Sequence, residues 1–181
     1  MSGPAAGVGA RVVSTVGPVL IVGTGLVGAS LGLALRGGGV SVYLEDASPT
    51  SLRLAADVGA GRPLSDVANE ARVACADRGH NHPGYEAPRI VVVATPPDVA
   101  DRVIVDALAR FPRAIVTDVA SVKDAIVADV LAALDREGRG EDASRYVGCH
   151  PMAGRERSGA GAADADLFYG RPWVIVAHGR T

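Results

Sequence analysis

Short apolar runs alternate along the chain with longer stretches in which apolar residues recur every three or four positions. The runs are PVLIVG from Pro18, VSVYLE from Val40, RIVVVAT from Arg89, AIVTDV from Ala114 and PWVIVA from Pro172. They are near-continuous rather than alternating, as strands buried on both faces of a parallel sheet are. Residues 26–36, 49–58, 98–110 and 122–136 carry helical spacing. RPLSDVANEARVACA, from Arg62, also fits a helix, and RYVG, from Arg145, a short strand. Two segments rich in Gly and charge, DRGHNHPGYEAP from Asp77 and DREGRGEDAS from Asp135, read as loops. No internal repeat or heptad interrupts this order. Strands alternating with helices predict a doubly wound α/β fold, with a mostly parallel sheet covered on both faces.

One junction carries a chemical signal. VLIVGTGLVGASLGLAL sets Gly23, Gly25 and Gly28 between an apolar strand and an apolar-periodic helix opened by Leu26 and Val27. In that context the first glycine makes a tight turn, the second lets backbone N–H groups approach a pyrophosphate, and the third lets helix pack on strand. The unpaired N–H groups of the helix N-terminus then face the anion. This predicts a Rossmann-type dinucleotide-binding fold. The next strand ends in Glu45 and Asp46, near the spacing at which a carboxylate accepts the adenosine ribose hydroxyls. Asp46 is the preferred candidate, and a carboxylate there favours NAD over NADP.

In an open parallel sheet, ligands collect at the carboxyl ends of the strands. Thr95 and Pro96 then lie beside the cofactor, with Asp98 as a helix N-cap. Ser121 stands at the mouth of the site. It can hydrogen-bond a ligand or cap the following helix together with Asp124, and position alone leaves both open. Lys123 reads as a solvated helix residue. His150, in the Gly- and Pro-rich VGCHPMAGRERSG, follows the short strand and is placed to act as a general base. His80 and His82 form an HxH with no third ligand nearby, so no metal site is expected. His178 has no evident partner. Arg155 and Arg157 suit either a carboxylate ligand or solvent, and Glu156 can set the local charge.

Composition narrows the function classes. With 181 residues, 48% hydrophobic and 21% charged, the chain suits one well-buried domain. No apolar run approaches a bilayer span, and MSGPAAGVGARVVSTVG lacks a signal-peptide layout. A flexible tail over residues 1–16 and a folded domain over 17–181 are expected. The net charge of -2 gives no reason to expect nucleic acid or an anionic membrane as partner, so small molecules are favoured. Cys75 and Cys149 form no CxxC and read as reduced thiols, which points to the cytoplasm.

Taken together, VGTGLVGASLGLAL, VVVATPP, TDVASVKD and HPMAGRERSGAGAADADLFYGRPWVI resemble the nucleotide-binding domain of the prephenate dehydrogenase family, which includes arogenate dehydrogenases. The resemblance runs from about Val19 to Ala177, and the HPMAG-x-E-x-SG segment is its most specific part. It implies NAD-dependent oxidative decarboxylation of prephenate or arogenate in tyrosine biosynthesis. His150 is then the catalytic base at the ring hydroxyl, Ser121 assists it near the nicotinamide, and both meet substrate together with Glu156. Family members carry a C-terminal helical domain that dimerises, and no part of this sequence corresponds to it. The expectation is therefore a cofactor-binding half, with homodimerisation tied to that helical domain. The alternatives are a non-catalytic dinucleotide-binding module or a dehydrogenase of small hydroxy acids.

Overall fold

A computed structural model describes residues 17–78, 86–154 and 159–180. Its sheet comprises β1 (Val19–Val22), β2 (Val42–Glu45), β3 (Arg62–Pro63), β4 (Ile90–Val93), β5 (Ile115–Asp118), β6 (Tyr146–Pro151) and β7 (Trp173–Val176). Between them run α1 (Leu26–Gly37), α2 (Pro49–Asp57), α3 (Leu64–Arg78), α4 (Pro97–Arg110) and α5 (Asp124–Arg136). The strand order is β3-β2-β1-β4-β5-β6-β7, parallel except for β7, which runs antiparallel to β6. The doubly wound expectation is met, and the order reverses between β1 and β4. The two-residue β3 at one edge had no separate signal in the sequence.

Side-chain alternation along β1 divides the core into two layers. Val19 and Ile21 join Ala29, Leu44 and Ala55 on the face of α1 and α2. Leu20 faces the other way, with Val91, Ile104, Leu108 and Val130 beneath α4 and α5. A sheet covered on both faces leaves its central strands no polar side, which is why β1 and β4 read as continuous apolar runs.

Local chemistry fixes the helix ends. Pro49 at the first position of α2 follows Ser48, whose Oγ accepts the Ser51 N–H at 3.2 Å. α4 likewise starts on a proline, Pro97, so its N-cap is Pro96 and Asp98 lies inside the first turn. Asp98 therefore does not cap; its charge sits where the helix dipole favours an anion. The other end of α4 is closed by Arg145, whose guanidinium donates to the carbonyls of Leu108 at 2.9 Å, Phe111 at 3.1 Å and Ala114 at 3.2 Å.

His150 departs from its expected loop position. It lies within β6, because β7 returns antiparallel and pairs Val174 with His150 and Trp173 with Pro151, extending the strand beyond the point where local sequence would end it. His80, His82, Arg155, Glu156 and Arg157 lie outside the described residues.

Candidate functional site: a cleft at the glycine turn

The turn after β1 is built so that only glycine fits at two of its positions. Gly23 has φ +96°, and a Cβ there would stand 2.5 Å from the Ala94 carbonyl oxygen. At Gly28 a Cβ would stand 2.0 Å from the Gly23 carbonyl oxygen, so α1 packs against its own entry turn. At Gly25, which precedes α1, a side chain would meet nothing within 4 Å. The backbone is therefore open where an anion would approach the helix N-terminus.

This turn forms one wall of a cleft of about 910 Å3. Gly23, Gly25, Leu26 and Val27 line it, Asp46 and Glu45 close it from β2, and Thr95 and Pro96 line it from the end of β4. Gly28 lies beneath the turn rather than in the lining. Asp46 accepts the Thr24 N–H at 2.6 Å and the Thr24 hydroxyl at 2.7 Å on Oδ2, and the Ser48 N–H at 2.8 Å on Oδ1. One carboxylate thus ties the glycine turn to the start of α2. With three bonds made, lone-pair capacity remains for a ligand hydroxyl. Thr95 Oγ1 is buried with no hydrogen-bond partner among the described residues, the kind of orphan a bound ligand satisfies. The open turn, the carboxylate and the orphaned hydroxyl fit a dinucleotide.

Glu45 has a different partner. Its two carboxylate oxygens accept from Nη1 and Nη2 of Arg110 at 2.8 Å each, and Asp106 accepts from the same guanidinium at 3.2 Å. These carboxylates hold the guanidinium charge, raising its pKa against the lowering effect of burial. Sequence gave no sign of a pair separated by 65 residues.

Ser121 and His150 do not line this cleft. They belong to neighbouring strands, Ser121 in the loop after β5 and His150 on β6. Ser121 does not cap α5, which starts at Asp124 and whose N-cap, Lys123, makes no side-chain bond there. Between them lies a buried cluster that the sequence reading missed. Asp118, fully buried at the end of β5, pairs with the Lys123 ammonium, accepts the Ala120 N–H at 2.9 Å and accepts the Tyr146 hydroxyl at 2.8 Å. Lys123 is no solvated residue: its side chain is 9% exposed, drawn inward by a carboxylate that has no access to water. Burial, then the Asp118 charge and its hydrogen bond, pushes the Tyr146 phenol far up, keeping it protonated as a donor.

Asp118 thereby brackets Ser121, through Ala120 on one side and Lys123 on the other, and reaches the strand that carries His150. Gly148, paired with Asp118 in the sheet, leaves room for this; a Cβ there would stand 3.3 Å from Lys123 Cδ. His178 also has a place: its ring stacks on Tyr146 at 5.8 Å, Nδ1 accepts the Arg180 N–H at 3.3 Å, and Nε2 lies 3.1 Å from the Tyr146 carbonyl oxygen. Among the described residues no group of three or more His, Cys, Asp or Glu could hold a metal ion, and no helix is long and apolar enough to cross a membrane.

The parallel order, the reversal between β1 and β4 and the cleft beside it define a nucleotide-binding domain of the Rossmann class. Residues 31–181 match the family model described as prephenate dehydrogenase, nucleotide-binding domain, and the chain belongs to that family. It is 40% identical over 157 residues to the "Probable prephenate dehydrogenase NovF" of Streptomyces niveus, covering 87% of this chain and 37% of that protein. It is similar to the Aquifex aeolicus prephenate dehydrogenase solved with hydroxyphenyl propionate and NAD+, at 27% identity and TM-score 0.68, covering 90% of this chain and 51% of that one. It is similar also to Synechocystis arogenate dehydrogenase, at 25% identity and TM-score 0.69, covering 90% and 50%. The chain thus spans about half the length of the two solved relatives and 37% of the Streptomyces niveus protein.

Proposed function

We propose that the chain binds NAD and contributes to the oxidative decarboxylation of prephenate to 4-hydroxyphenylpyruvate in tyrosine biosynthesis. The observation that carries the cofactor assignment is the cleft itself, where the open turn at Gly25, Asp46 and the orphaned Thr95 hydroxyl converge. Gly23, Gly25, Leu26 and Val27 would cradle the pyrophosphate, Asp46 the adenosine ribose, and Thr95 and Pro96 the wall beyond. The Asp46 carboxylate at the end of β2 disfavours a 2′-phosphate, which supports NAD over NADP.

When bound, NAD supplies the acceptor for a hydride from the ring carbon that bears the hydroxyl. His150 takes the hydroxyl proton, and the ring carboxylate leaves as CO2, its bond electrons completing the aromatic ring. The proton on His150 can then return to the phenolate oxygen, so the residue ends as it began. Ser121 holds substrate beside His150, and Glu156 belongs to the same substrate group. The reaction uses small water-soluble substrates, which suits a cytoplasmic location.

The test is NADH formation, followed by absorbance, with NAD and prephenate, and with arogenate in parallel. Turnover with either establishes the reaction and ranks the two substrates. NADH binding without turnover limits these 181 residues to the cofactor half. Failure to bind NADH overturns the reading.

A further inference from the structure

The far end of the cleft holds an arrangement that stability does not account for. Glu45, ending β2, and Arg110, in the last turn of α4, form two parallel hydrogen bonds of 2.8 Å each. Such a bidentate pair is coplanar. Arg110 is held from its own side as well, by Asp106 at 3.2 Å and by the Phe111 ring, whose centroid lies 5.1 Å from the guanidinium carbon. Yet the pair remains 40% and 33% exposed, a setting in which ion pairs contribute little to folding. Both residues line the same cleft as the glycine turn. A plane of fixed orientation, half open to a ligand cleft, is suited to recognition.

Resting on the dinucleotide reading above, we propose that Glu45 and Arg110 read the edge of the purine and select adenine. Each Glu45 oxygen spends one lone pair on Arg110 and keeps another, and the guanidinium has N–H donors beyond those that reach Glu45. The pair offers an acceptor beside a donor. Adenine offers the complement, an amino group that donates beside a ring nitrogen that accepts. Hypoxanthine carries a carbonyl oxygen in place of that amino group, which reverses the order on one edge and leaves two acceptors on the other. With the sugar at Asp46 and the pyrophosphate at the glycine turn, the base can turn only about its glycosidic bond, which exchanges one edge for the other and restores the match on neither.

The experiment compares binding of NADH and of reduced nicotinamide hypoxanthine dinucleotide to this chain, by the fluorescence of the reduced nicotinamide. The unsubstituted protein is expected to prefer NADH by about tenfold, the scale of a charge-assisted hydrogen bond gained or lost. Arg110→Lys keeps the charge but not the planar fork, and should cut the preference to about threefold or less while both ligands still bind. The double variant Glu45→Arg with Arg110→Glu restores the ion pair with donor and acceptor exchanged, and should favour the hypoxanthine ligand. Thermal melts confirm that each variant is folded. Equal affinity of the unsubstituted protein for the two ligands, or a preference that survives Arg110→Lys, overturns base reading while leaving the dinucleotide assignment intact. An unsubstituted protein that binds neither ligand removes both.

Discussion

Strands β1 and β7 are written in nearly the same letters, VLIV and WVIV, and occupy opposite surroundings. In β1, Val19, Leu20 and Ile21 are 2%, 0% and 0% exposed; in β7, Trp173, Val174 and Ile175 are 38%, 43% and 68% exposed. β1 lies between two neighbours and under helices on both faces, whereas β7 closes the edge and, among the described residues, pairs with β6 alone. Apolar composition thus marks a strand, and position in the sheet decides whether that strand is core. The consequence for function follows the same gradient. The glycine turn follows β1, which is buried and paired on both sides, and His150 sits on the strand next to the open edge.

That contrast predicts a division of labour which substitution should expose. His150→Asn near the edge should leave folding and NADH binding close to unchanged, yet lower turnover by about 10²–10⁴-fold, the range of a lost general base. Steady-state rates beside fluorescence titrations of NADH check this. A loss of NADH affinity in proportion to the loss of rate would place His150 in the cofactor site and remove the distinction between the two regions.

Between the regions lies the buried cluster of Asp118, Lys123 and Tyr146, and its expected effect is on stability. Lys123→Met removes the cation and leaves Asp118 buried with only the Ala120 N–H and the Tyr146 hydroxyl, a loss of about 3–5 kcal/mol. Urea unfolding of the variant measures it. Tyr146→Phe keeps the ion pair and deletes one hydrogen bond to the carboxylate, costing about 1.5–3 kcal/mol. Should Lys123→Met unfold at the same urea concentration as the parent, the pair is solvated after all and Ser121 is not held through it.

How much of this was legible in the sequence depends on whether the cause was local. The glycine turn was, because tight turn, close approach and helix entry are all written within six residues. The four periodic helices matched to within about two residues at each end, and the uncertain RPLSDVANEARVACA segment formed a helix from Leu64. His150 was singled out by its motif, but its place within β6 was not, since the hydrogen bonds that extend the strand come from β7. Lys123 looked like any solvated lysine because nothing nearby shows that Asp118, five residues back, is sealed from water. The Glu45–Arg110 pair is separated by two strands, two helices and most of a third, and no spacing rule reaches that far.

The smallest expected effect is the sharpest use of the comparison, because one substitution can be made at both strands. Ile21→Ala opens a cavity among Ala29, Leu44 and Ala55 and should cost about 2–5 kcal/mol. Ile175→Ala removes the same atoms from a side chain that is already 68% in water, so little transfer energy is lost and no cavity forms. Its expected cost is within about 0.5 kcal/mol, read from the urea midpoints of the two variants and the parent. If Ile175→Ala instead approached the cost of Ile21→Ala, the outer face of β7 would be covered in solution, and the gradient from a buried β1 to an open edge would describe only the isolated chain.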